Sequence, residues 1–103
     1  MLVTFNARLW TWDARRVDTW VFASLPVDVS EEIRERAGAG APRRGFGSLR
    51  VRVTIGGTTW RTSVFPDKAR ECFVLPLKQQ VRRAESLDDG DTATITVELL
   101  DLA

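Results

Sequence analysis

Over the first ten residues apolar and polar side chains alternate strictly. Val3, Phe5, Ala7 and Leu9 fall between Thr4, Asn6, Arg8 and Trp10. A period of two over that length predicts a strand with one buried face. The polar stretch Asp13 to Arg16 then connects to a second predicted strand, from about Val17 to Leu25, which holds Trp20, Val21 and Phe22. It stops at Pro26, which cannot donate to a central ladder. Alternation is poor in this strand, which fits either burial on both faces or a bulge.

The period then changes. Asp28 and Glu31 have the spacing of a capping box, with Ser30 as a competing cap, and Val29, Ile33 and Ala37 form a stripe at helical spacing. The short helix ends in the connection Gly38-Ala39-Gly40-Ala41-Pro42-Arg43-Arg44-Gly45.

The clearest pattern runs from Ser48 to Phe65. Leu49, Val51, Val53 and Ile55 alternate with Ser48, Arg50, Arg52 and Thr54 until Gly56-Gly57 interrupts, and Thr58 to Phe65 resumes. Two glycines between alternating runs predict a two-residue I′ or II′ hairpin, because those turns require positive φ. The turn sets the register. Ile55 should face Thr58, Val53 face Trp60, Val51 face Thr62 and Leu49 face Val64 on the core side. On the other side Thr54 should face Thr59, Arg52 face Arg61, Arg50 face Ser63 and Ser48 face Phe65.

After Pro66-Asp67 a strand is predicted over Arg70 to Leu75, and Leu77, Val81 and Ala84 mark one face of a second short helix. Asp88-Asp89-Gly90-Asp91 turns the chain into a last strand, where Ala93, Ile95, Val97 and Leu99 alternate with Thr92, Thr94, Thr96 and Glu98. There is no internal repeat. Residues 1–103 read as one domain, since the first two strands could not form a core alone. Six short strands exceed what a flat sheet buries, so closure into a barrel or a tight sandwich is expected. The barrel is preferred: a mainly β domain, a closed or nearly closed six-stranded β-barrel with two short helices.

A series of short motifs follows one another along the chain. They are Trp20-Val21-Phe22 leading to Leu25-Pro26, then Gly45-Phe46-Gly47-Ser48, Ile55-Gly56-Gly57-Thr58-Thr59-Trp60, Thr62-Ser63-Val64-Phe65-Pro66, Leu75-Pro76-Leu77-Lys78, Val81-Arg82 and Gly90-Asp91. In that order they resemble the bacterial family called domain of unknown function 1905, over essentially the whole chain. The resemblance implies a closed six-stranded β-barrel and no assigned activity. Family members can be fused to a second C-terminal domain, so a chain ending at the last strand implies the stand-alone form. One departure concerns the loop before the fifth strand. The family tends to have a glycine and then an aromatic there, where this chain has Arg70, Glu71, Cys72 and Phe73.

Composition narrows the chemistry more than it suggests any. Histidine is absent, which removes His-based triads, the usual general base near neutral pH and the commonest metal ligand. The single cysteine, Cys72, allows no internal disulfide. No window reaches the apolar length of a membrane span and no basic-then-apolar leader precedes the first strand, so a cytoplasmic location is expected. A formal net charge of +1 gives no global field that would argue for nucleic acid. Lys68 and Lys78 are the only lysines among many arginines, a bias read as codon usage in a GC-rich genome ahead of anion binding, because anion binding needs a patch and not a count.

Five groups of residues remain as candidates. Ser63 and Lys68 are the types of a histidine-free nucleophile and base, the basis for an alternative reading as a small hydrolase or ligand-processing enzyme. The register, however, puts Ser63 opposite Arg50 with no glycine-rich elbow beside it. Cys72 in an apolar strand reads as an inert buried thiol. Asp88 to Asp91 lacks the ligand frame of a Ca²⁺ loop and reads as a turn. Arg50, Arg52 and Arg61 should share a face, where Arg52 opposite Arg61 needs either an acidic strand neighbour such as Glu98 or Glu71, or an anionic partner. Trp10 and Trp12 could line an opening for a small ligand or cover a protein contact, but packing over a barrel end is the preferred reading.

The leading expectation is a non-enzymatic binding or protein-interaction module with a protein partner or a small anionic ligand. Thr62, Ser63, Lys68, Lys78 and Arg82 are its candidate ligand-binding residues and Arg50, Arg52 and Arg61 its anion-facing ones. No catalytic residue, metal ligand or cofactor is assigned. Weak nucleic-acid binding through the three arginines is the lesser alternative, since no aromatic ladder clearly shares their face.

Overall fold

The computed structural model describes residues 1–11, 20–38 and 47–100. Trp12, the connection from Asp13 to Arg16, the start of the second predicted strand and the Gly45-Phe46 motif lie outside the described residues. The strands are β1 (Leu2–Arg8), β2 (Trp10–Thr11), β3 (Val21–Ser24), β4 (Leu49–Ile55), β5 (Thr58–Asp67), β6 (Cys72–Leu77) and β7 (Thr92–Leu99). Helix α1 (Val27–Gly38) follows β3, and α2 (Gln79–Ala84) follows β6. The strands form one antiparallel sheet in the order β1-β7-β4-β5-β6-β3-β2.

The expected six strands are seven because the first one changes partner midway. β1 pairs with β7, and β2, one residue further along, pairs with β3. At the break, the Leu9 N–H donates to the Asp91 carbonyl and the Leu9 carbonyl accepts the Gly90 N–H, both at 2.8 Å. Side-chain parity does not change there: Phe5, Ala7 and Leu9 are all buried. The alternation in sequence therefore continues through the change of partner. Both edges of the sheet belong to one stretch of chain, and the sheet curls into a half-barrel.

Alternate residues of the strands fill the interior as one core, to which α1 adds the fully buried Ile33. Each fully buried Val, Leu, Ile or Phe among them contributes about 1.5–3 kcal/mol relative to exposure. The β4–β5 hairpin has the register expected from its turn, pair for pair from Ile55↔Thr58 to Leu49↔Val64. Gly56 has φ +56° and Gly57 does not share the positive φ, the pattern of a II′ turn. A Cβ at Gly56 would also run into the Glu85 carboxylate, which accepts the Thr58 hydroxyl at 2.6 Å. The chain after α2 thus clamps the hairpin.

Helix α1 begins at Val27, not at an Asp28 cap, because the Pro26 carbonyl already takes the Ser30 N–H at 2.9 Å. Ser30 becomes a buried polar side chain whose hydroxyl accepts the Phe73 N–H at 3.0 Å. The Leu25 N–H donates to the Phe73 carbonyl at 2.9 Å. Continuing the ladder beyond Ser24 would return the Phe73 N–H to the Leu25 carbonyl. The chain turns at Pro26, and Ser30 supplies the acceptor instead.

β6 starts two residues later than the pattern predicts. Asp67 Oδ1 accepts the N–H groups of Ala69 and Arg70 at 3.0 and 3.3 Å and holds Lys68 to Glu71 in a turn. Glu71 sits at φ +55°, in the left-handed region that glycine adopts without cost. This is the loop in which the sequence departs from the glycine of the resembled family. Among the described residues no helix is long and apolar enough to cross a membrane.

Candidate functional site

The outward face of the β4–β5 hairpin carries the three arginines, and their charges are treated differently. Arg52 lies opposite Arg61 on β5 and opposite Glu98 on β7. Its guanidinium bonds Glu98 Oε1 at 2.8 Å, so the repulsion expected from the register is offset by one of the two acids proposed for it. Arg50 faces Ser63. Arg61 has no side-chain hydrogen bond or ion pair among the described residues. Beside these charges the same face is threonine-rich: Thr4 bonds Thr96 at 2.9 Å and Thr54 bonds Thr59 at 3.0 Å across their rungs.

On its other side β5 loses its neighbour. The β5–β6 ladder holds only Phe65↔Val74, Pro66↔Phe73 and Asp67↔Cys72. Backbone groups of successive residues in a ladder point alternately to the two flanking strands. The Phe73 carbonyl is taken by Leu25, on the β3 side, so Phe73, Leu75 and Leu77 face β3 while Val74 and Pro76 face β5. The next hydrogen-bonded rung after Phe65↔Val74 would join Ser63 to Pro76. Proline has no N–H, so the bond from position 76 to the Ser63 carbonyl cannot form, and the ladder ends at Phe65↔Val74.

A cleft of about 170 Å³ opens where the two strands diverge. Trp60, Arg61 and Thr62 line one wall, Pro76, Leu77 and Lys78 the other, and Trp20 completes it. Trp60 keeps the inward register opposite Val53 and packs against the core while half-buried. Trp20, just before β3, is 58% exposed. A shallower depression of about 440 Å³ shares Arg61 and Thr62 with the cleft and adds Arg50, Ser63 and Leu100.

The candidate residues separate accordingly. Thr62 and Lys78 meet in the cleft, with Arg61 beside them. Ser63 lies next door with Arg50. Arg82 belongs to a different depression of about 340 Å³, with Gln79, Arg83, Ser86, Leu87 and Asp88. Lys68 is in the turn beyond β5, five residues from Ser63, about 16 Å along an extended chain. The structure does not bring Ser63 and Lys68 together as nucleophile and base. Nor does it form the single patch from Thr62 through Lys68 to Lys78 and Arg82 that the sequence suggests, because Thr62 lies mid-strand in β5, Lys68 in the turn beyond its end, and Arg82 in a separate depression.

Four contributors, Trp20, Trp60, Pro76 and Leu77, are absent from the sequence-derived site. Pro76 had a readable signal, since a proline inside an apolar strand run marks an edge or an interruption. Trp20 had none of its own. It enters through the β3–β6 pairing, which sequence spacing does not reveal.

The remaining chemistry-bearing residues have structural occupations. Trp10 stacks on Phe22 with ring centroids 4.9 Å apart, and its Nε1–H donates to Ser24 Oγ at 2.9 Å. Arg70 lies 3.8 Å over the Trp10 ring and bonds Asp67 at 3.0 Å. Asp91 Oδ2 accepts the Asp88 N–H at 2.8 Å, and Asp88 Oδ1 accepts the Asp89 N–H at 3.0 Å. Those carboxylates thus stabilise the turn into β7. Cys72 is a buried free thiol.

No curated protein matches the chain. A family profile described as "Domain of unknown function (DUF1905)" matches residues 5–97, a span that includes every strand described above in whole or in large part. The chain therefore belongs to the domain of unknown function 1905 family.

Proposed function

We propose that this domain is a non-enzymatic binding module whose ligand site is the cleft between β5 and β6. One observation carries the reading. Pro76 interrupts the ladder, and the cleft so opened gathers two tryptophans and two cations from three strands and their ends. Convergence of a few polar groups on an apolar concavity is what small-molecule sites have in common. The separation of Ser63 from Lys68 favours binding over hydrolysis, since nucleophile and base must lie within hydrogen-bond reach. The Arg52–Glu98 pair weakens a nucleic-acid reading, because it takes one of three arginines out of a phosphate-binding face. A cytoplasmic location is part of the proposal, supported by a single cysteine that is buried and free.

The test is a fragment-library titration of the intact domain. The indole N–H resonances of Trp20 and Trp60 report, assigned through the W20F and W60F variants. Saturable shifts of both indoles by members of the library are expected. A library that leaves both unmoved, or that moves only Trp10, refutes the cleft as a ligand site.

A further inference from the structure

The lining of the cleft between β5 and β6 specifies a class of ligand, an inference that rests on the cleft being the binding site. Among the described residues its charged groups are Arg61 and Lys78, with no acidic side chain in the lining. Neither side chain has a hydrogen-bond or ion-pair partner among the described residues. The contrast with Arg52 is informative. Arg52 stands directly opposite Arg61 on the same hairpin and is held by Glu98 at 2.8 Å. Two converging cations without an acid repel each other and favour an anion between them.

The remaining lining is flat and apolar. Trp20 and Trp60 present indole surface, and Pro76 and Leu77 add aliphatic surface. A volume of about 170 Å³ is close to the size of cavity, about 150 Å³, that admits benzene. Offset or edge-on contact between aromatic rings contributes beyond the apolar area it buries. The adjoining depression, which shares Arg61 and Thr62, brings Arg50 and Ser63 to the same wall. An anionic group on Arg61 is therefore flanked by a hydroxyl and a further guanidinium. Arg61, with its planar fork of donors, suits carboxylate and phosphate oxygens alike.

We infer that the cleft takes a small molecule with one planar ring and one anionic group, carboxylate or phosphate. The ring lies against Trp20 and Trp60 and the anion on Arg61 and Lys78. Four probes separate the components: benzoate, phenyl phosphate, benzamide and acetate, each titrated into the intact domain with the Trp20 and Trp60 indole N–H signals as readout. Benzoate and phenyl phosphate should give saturable shifts. Benzamide, which lacks the charge, and acetate, which lacks the ring, should each bind about tenfold more weakly or worse.

R61A and K78A should each lower benzoate affinity by about fivefold or more, consistent with loss of one charge-assisted contact. Both positions are exposed, so an unchanged melting temperature and amide spectrum will verify the fold. Benzamide binding as tightly as benzoate, or R61A and K78A both binding benzoate normally, overturns the anion assignment and leaves the cleft as a ligand site. Acetate binding as tightly as benzoate overturns the ring assignment alone. Silence of both indoles towards all four probes overturns the inference as a whole, and the broader fragment library then decides whether the cleft binds anything.

Discussion

On one side β5 is registered against β4 through seven consecutive pairs, from Ile55↔Thr58 to Leu49↔Val64, whereas on the other it meets β6 in three. The same strand, with the same alternation of side chains, is therefore zipped along one edge and parted along most of the other. Where it is zipped, outward polar groups answer one another: Thr54 bonds Thr59, and Arg52 is matched by Glu98 on the next strand. Where it is parted, indole rings and unmatched cations collect. Continuous pairing uses side chains to stabilise neighbours. A broken ladder leaves them available to something else, and one missing N–H at Pro76 separates the two outcomes.

The zipped side is most sensitive at its turn. Gly56→Ala should destabilise the domain by about 1–3 kcal/mol, because a non-glycine residue at positive φ is strained. The added Cβ must also displace Glu85. Urea unfolding measures the loss. If Gly56→Ala costs no more than Gly57→Ala, which meets nothing within 4 Å, the clamp by Glu85 has no role.

Pro76→Val tests the parted side directly. Restoring an N–H lets the Ser63 rung form, with a gain of about 0.5–1.5 kcal/mol for the added hydrogen bond. Hydrogen exchange should then show a protected amide at position 76, and probe binding at Trp20 and Trp60 should fall as the cleft narrows. An unprotected amide with unchanged binding would mean that the proline is not what holds β5 and β6 apart. The smallest effect belongs to the surface pair. Glu98→Gln should cost about 0.2–1 kcal/mol, diminishing with added salt, because both partners are well exposed. A double-mutant cycle with Arg52→Gln isolates that coupling, and a value independent of salt would argue against an ionic origin.

The hairpin was fully readable in advance because its register depends on turn length and side-chain parity, both local properties. From that register followed the Arg52–Arg61 juxtaposition and the need for an acid, which the fold supplies as Glu98. The strand count was less readable. Leu9 ends the pairing with β7 without altering the inward phase of Phe5, Ala7 and Leu9, so no break shows in the pattern. The apolar core of Trp60 was legible and its cleft-facing part was not. A residue's parity says which face it occupies, not whether the neighbouring strand is close enough to cover it.

Local chemistry written in the sequence determined the β class, the hairpin with its glycine turn, the inward and outward faces, and the absence of histidine chemistry. Tertiary structure alone decided that β1 and β2 would be divided between opposite edges of the sheet. It also moved Ser30 from a possible helix cap to a buried acceptor for Phe73, and it brought Trp20 and Lys78 to Trp60 and Arg61. Those outcomes depend on strand order, on contacts between residues far apart in the chain, and no local propensity encodes them. Pro76 belongs to both descriptions. Its missing N–H is visible in the sequence, and only the order β5-β6-β3 shows which neighbour goes without it.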